Sequence, residues 1–166
     1  MITLGIDPGS TRVGYGVVRK ERGALVHLES GLLPVRSKEK NERLIEISTS
    51  LRGILARVKP DRVGIEKLYF SKNQKTAIEV AQARGVLLYT IARTGILILE
   101  FTPSEVKLAV TGDGNATKAG VAAMVARFLR LPPRKLVDDV SDALAIAITA
   151  SNGTLYLHTK QGVPAE

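Results

Sequence analysis

The chain has 166 residues, 45% of them hydrophobic, with no cysteine and a formal net charge of +8 at pH 7. That length suits one domain, 1–166, with a sizeable core, and the missing cysteines exclude disulfides and thiolate metal sites. No apolar run reaches the ~18 residues of a membrane span, no basic-then-apolar leader opens the chain, and two isolated histidines, His27 and His158, argue against a His-based zinc site. These features fit a cytoplasmic protein. The positive charge points to a polyanionic partner, with a surface charged only for solubility as the alternative. Basic residues are spread along the chain rather than gathered in a tail, as in "VVRKERG", "LPPRKL" and Lys67, Lys72 and Lys75, so a folded surface carries them.

The first predicted strand is 2–7, apolar until it runs into Asp7 and a Pro-Gly turn. Strands at 13–20 and 24–34 follow, joined tightly through "ERG". Residues 39–58 keep a helical period, with Leu44, Ile47, Leu51, Ile54, Leu55 and Val58 on one face, and Lys59-Pro60-Asp61 ends that helix. The short strand "RVGIE" also ends on a carboxylate, Glu66. A long helix at 74–94, the strand "GILILE" and helices at 103–110, 116–130 and about 138–150 complete the pattern, with Asn115 as the N-cap of the second of these three. From Ser151 the periodicity weakens and a flexible tail is expected. Three antiparallel strands followed by alternating helix and strand predict an α/β fold: a mixed five-stranded sheet with helices on both faces.

An acid at a strand end is commonly a turn residue. Here two strands end that way, and neighbouring parallel strands bring such ends to one edge of a sheet. A third cluster, "VDDVSDALAIAIT", opens the last helix, where Asp142 shares a face with Asp138 (four apart) or Asp139 (three apart). Leu136, Val140, Ala143, Leu144, Ala147 and Ile148 form the opposite, buried face. Like charges held close raise one another's pKa, and a hard divalent cation with oxygen ligands removes that cost. Two such ions activate a water and stabilise the leaving oxygen in phosphodiester cleavage. Helix-dipole capping is the alternative; it accounts for Asp138 but for neither strand-end acid. Without Asp7, Glu66, Asp139 and Asp142, the 16 acidic residues become 12 against 24 basic ones. An acidic pocket in a basic surround is the charge pattern of a metal-dependent nuclease.

"GIDPGSTRVGYGV", "IEKLYFSKN", "AQARGV" and "DDVSDALAIAIT" closely resemble, in order and spacing, segments of the RuvC family of bacterial Holliday-junction resolvases. The resemblance runs from residue 4 to about 150. It implies an RNase H-like fold, a homodimer, and Mg²⁺-dependent symmetric nicking of four-way DNA junctions, with two ions in each site and Mn²⁺ as a substitute. The family's four metal-binding acids fall on Asp7, Glu66, Asp139 and Asp142, and its D-x-x-D-A-L pattern selects Asp139 over Asp138. A branch-migration motor is a further expected partner.

The same resemblance assigns DNA contacts. It places a base-contacting aromatic at Tyr69, leaving Phe70 for packing; stacking on a ring is worth ~1–3 kcal/mol per base. Lys72 stands in the same loop. Lys107 and Lys118 match family lysines of DNA contact or catalysis, against the alternative of solvated surface lysines. Lys118 opens a helix, where exposed amides favour a phosphate and a lysine opposes the dipole. Arg12, with Thr11, lies near Asp7 and is expected to hold the cleaved strand. On helix 74–94, Ala77, Ala81 and Gly85 form a line that admits a second helix, and a two-fold dimer would face two symmetric strands. Other readings are weaker. An actin-like ATPase needs a second domain, "GSTRVGYG" lacks the Lys-Ser/Thr of a P-loop, and "GYGVVR" lacks the last glycine of a dinucleotide fingerprint. A YqgF-like nuclease of the same fold would not be expected to carry "QARG". A non-catalytic DNA-binding module would show no metal-dependent nicking.

Overall fold

The computed structural model describes residues 1–68, 74–132 and 136–152. The elements are β1 (Ile2–Asp7), β2 (Gly14–Glu21), β3 (Ala24–Leu32), α1 (Lys40–Val58), β4 (Arg62–Glu66), α2 (Gln74–Ala92), β5 (Leu97–Phe101), α3 (Pro103–Thr111), α4 (Lys118–Phe128) and α5 (Asp138–Asn152). One five-stranded sheet has the order β3-β2-β1-β4-β5. β1, β2 and β3 pair antiparallel, and β4 joins β1, and β5 joins β4, in parallel. The "ERG" link is a two-residue turn between paired Glu21 and Ala24, with Arg22 and Gly23 both at positive φ, the backbone twist that suits a hairpin.

Each face of the sheet carries its own apolar layer. Leu4, Ile6, Val17, Val63 and Ile65 point to one side, where α1 (Ile47, Leu51, Ile54) and α2 (Ala83, Leu87, Ile91) cover them. Val18, Leu99 and Phe101 point to the other, under α3, α4 and α5. The first face is bulky and branched. The second, beneath α5, is glycine: Gly5 and Gly64 in β1 and β4, Gly14 and Gly16 in β2. A Cβ on Gly5 would overlap the Ala143 carbonyl, and one on Gly14 the Asp139 carbonyl. At Gly16 it would lie 2.6 Å from Leu144 Cδ2, and at Gly64 2.9 Å from Ala150 Cβ. This trough lets α5 lie directly on the strands, with every residue from Ala143 to Ser151 buried.

Several element ends differ from expectation for local chemical reasons. α4 is capped by Thr117, whose hydroxyl accepts from the Gly120 N–H at 3.1 Å, not by Asn115. Asp138 is the first residue of α5 rather than its cap; the preceding Val137 carbonyl accepts from the Val140 and Ser141 N–H groups. Ser151 and Asn152 are still helical: the Ser151 hydroxyl donates to the Ala147 carbonyl and Asn152 accepts from Lys20. α3 begins with a capping box formed by Thr102 and Glu105.

Candidate active site

β1 and β4 are adjacent and parallel, in register through Ile6 and Ile65, so Asp7 and Glu66 leave the sheet side by side. Across the other neighbour Asp7 pairs with Gly14, the residue whose missing side chain admits the Asp139 backbone. The trough thus sets the start of α5 over the end of β1, and Asp142 follows one turn later. Three elements distant in sequence deliver four carboxylates to one sheet edge.

The electrostatics identify Asp7 as the hub. Its pKa is pushed from 3.8 up to about 7, first by burial, then by the charges of Asp142, Glu66 and Asp139, against a smaller opposing pull from Lys118. Glu66 is also raised, by burial and by Asp142. Lys118 answers the cluster: its ammonium donates to Asp142 Oδ2 at 3.2 Å, and that carboxylate raises the lysine's own pKa. Arg12 sets its guanidinium against Asp139 Oδ2. No N–H is aligned on that buried oxygen, which is left without a hydrogen-bond partner. A cleft of about 480 Å³ opens beside the cluster between α4 and α5, with Lys118, Ala122, Leu136 and Asp142 in its wall.

A hard divalent cation suits this donor set, which is all carboxylate oxygen, and Asp139 Oδ2, held only by the charge of Arg12, accepts no aligned hydrogen bond. As the side chains stand, no three acids among the described residues are close enough to share an ion, and two cationic side chains, Arg12 and Lys118, sit among them.

Of the residues singled out from sequence, the structure brings together Asp7, Glu66, Asp139, Asp142, Arg12 and Lys118. Lys107 sits half-buried in α3 and forms no ion pair with the four acids among the described residues. Tyr69, Phe70 and Lys72 lie outside the described residues. Two contributors escaped the sequence reading. Gly14 carries no chemistry and shows only as one glycine among several. Arg84, inside the quoted "AQARGV", donates from Nε to the Glu66 carbonyl at 2.9 Å; a lone charge amid small and apolar residues was the available signal.

Sheet order, strand directions and paired helix layers define the RNase H-like fold, with the candidate centre at the ends of two adjacent parallel strands. The family model described as crossover junction endodeoxyribonuclease RuvC matches residues 3–150. The RuvC of Prochlorococcus marinus (strain MIT 9211) is 46% identical over 153 residues, 90% of this chain and 95% of that protein. The RuvC of Syntrophomonas wolfei subsp. wolfei is 43% identical over 149 residues, 89% and 87% of the two chains. Among solved structures, "T. thermophilus RuvC in complex with Holliday junction substrate" superimposes with a TM-score of 0.84 at 33% identity, over 91% of this chain and 93% of that one. The chain belongs to the RuvC family of crossover junction endodeoxyribonucleases, and is a hydrolytic nuclease.

Proposed function

We propose that this chain resolves four-way DNA junctions by paired, symmetric, divalent-metal-dependent nicks. The observation that carries the reading is the gathering of Asp7, Glu66, Asp139 and Asp142 into one cluster, in which burial and then the neighbouring carboxylates raise Asp7 to about 7, in a family whose Thermus relative was solved on a Holliday junction. The four carboxylates would hold Mg²⁺, two ions to a site, with Mn²⁺ as a substitute. When bound, the metal supplies a nucleophilic water and charge relief at the leaving oxygen.

The protein's own part is placement. Asp7 and Glu66 are held by paired strand ends, so their directions are set before substrate arrives. Arg12 and Lys118, now facing Asp139 and Asp142, would turn to the phosphates beside the cut once the acids have a metal. Thr117 fixes the helix end that presents Lys118. Tyr69, Lys72 and Lys107 are assigned to junction contacts by family resemblance. A homodimer would offer two such sites to opposed strands. The α2 surface with Ile78 and Tyr89 exposed beside Gly85 is the proposed contact.

The test is incubation of the protein with a mobile four-way junction and with a linear duplex, with and without Mg²⁺. Paired nicks in the junction alone, only with metal, support the reading. Asp7→Asn and Glu66→Gln should abolish nicking while junction binding stays intact or tightens. Wild-type cleavage by Asp7→Asn would sink the site assignment.

A further inference from the structure

We infer that Arg84 is a positioning residue for Glu66, holding the backbone at the end of β4 through a donor that the sheet itself cannot supply. The inference rests on the proposal that Glu66 belongs to the metal-binding acids. β4 ends at Glu66. The Lys67 N–H turns toward β5 and donates to the Phe101 carbonyl at 2.8 Å. In a trans peptide the carbonyl points the opposite way from the following N–H, so the Glu66 carbonyl faces the β1 side. There β1 has already run out of donors: after Asp7 comes Pro8, which has no N–H. A carbonyl left at this half-buried place without a donor is costly.

Arg84 fills the gap from the other layer. α2 is anchored by Ala83, Leu87 and Ile91 in the core it shares with α1. Arg84 reaches from that helix, with its side chain only 14% exposed. Its Nε donates to the Glu66 carbonyl at 2.9 Å, and its terminal nitrogen pairs with Glu100 of β5. The planar guanidinium serves both acceptors in one fixed fork, which a lysine cannot do. Pinning that carbonyl fixes ψ at Glu66. Together with the β4 ladder, this sets the direction of the Cα–Cβ bond that carries the carboxylate. The acids are thus steadied from both faces of the sheet, by α5 above and by Arg84 below.

The experiment compares wild type, Arg84→Met, Arg84→Lys and Glu100→Gln. Mn²⁺ binding is titrated by calorimetry on the protein alone, and single-turnover junction cleavage and junction affinity in Ca²⁺ are measured alongside. Loss of a group that orients a ligand costs about 10- to 100-fold in metal affinity. Arg84→Met should therefore bind Mn²⁺ about 10- to 100-fold more weakly and cut more slowly, with junction affinity unchanged. Arg84→Lys should recover little of this, whereas Glu100→Gln, which keeps Nε on the carbonyl, should stay near wild type. If Arg84→Met melts lower yet matches wild type in Mn²⁺ affinity and rate, Arg84 is only a structural tie and the inference is overturned. Should Arg84→Met not fold, wild-type Mn²⁺ affinity in Arg84→Lys overturns it equally. A wild type that binds Mn²⁺ but nicks no junction defeats the proposed function, while the Mn²⁺ comparison still decides Arg84. A wild type that binds no Mn²⁺ overturns both.

Discussion

Asp7 concentrates the tension of the site in one side chain. Its folded pKa of about 7 lies above the ordinary 3.8, so folding favours its protonated form. The associated stability is full below about pH 4 and is lost as pH rises through about 7. Without metal, the protein should therefore melt at falling temperature across that window. Asp7→Asn cannot ionise and should escape the decline, melting like wild type near pH 4 and several degrees higher at pH 8. A shift of about 3 pH units corresponds to on the order of 4 kcal/mol, as a ceiling. Coincident melting curves at pH 8 in EDTA would contradict this account. The neighbours Asp138 and Asp139 separate in the same assay. Asp138, first in α5, stands where the helix dipole favours an acid, so Asp138→Ala should cost about 0.3–1 kcal/mol and keep the metal-dependent rate. Asp139→Asn should lose cleavage with little change in metal-free melting. Reversed outcomes would mean the motif is displaced by one residue.

Elements matter here through how closely they approach. α5 can lie on β1, β2 and β4 only because four positions under it lack side chains. Gly14→Ala would push a methyl into the Asp139 backbone, lifting the helix start that carries two of the acids. It should destabilise the fold by about 1–3 kcal/mol and lower cleavage more than junction binding. Gly53→Ala is the matched control: it lies in α1 with open space around its Cβ position, and should stabilise by roughly 0.5–1 kcal/mol. If both substitutions behave alike in melting and cleavage, the trough does not set the site. The α4 start is a second such joint. Thr117→Ala removes the hydroxyl on the Gly120 N–H and should cost about 0.5–2 kcal/mol.

On the scale of the whole molecule, the net charge and the proposed two-fold pairing bear on the encounter with DNA. A +8 chain that binds phosphates releases counterions, so junction affinity should fall steeply with salt. Each lost phosphate contact should flatten the slope of log affinity against log salt by roughly 0.7–0.9. Lys118→Ala and Lys107→Ala should each show that change, and an unchanged slope returns the lysine to ordinary surface. A lysine acting only on the transition state would lower rate and spare affinity. Light scattering at micromolar concentration should give twice the monomer mass, and an Ile78→Glu change on exposed α2 should split the pair. A strict monomer that still cut both strands in concert would defeat the symmetric scheme.

Periodicity along the chain was enough to determine the order of elements and the strand-end placement of Asp7 and Glu66. Alternation and helical repeat are local properties, written in neighbouring residues. The linked motifs added the family and singled out Asp139, which spacing alone left tied with Asp138. Tertiary structure decided what depends on residues far apart in the chain. It showed Thr117 rather than Asn115 capping α4, α5 running on to Asn152 and Arg12 reaching Asp139. It also showed Arg84 donating to the Glu66 carbonyl. Glycine and arginine look alike to a pattern wherever they stand. Whether a missing Cβ admits a helix, or a guanidinium finds an orphaned oxygen, is settled only when strand register and helix approach bring the two partners within a few ångströms.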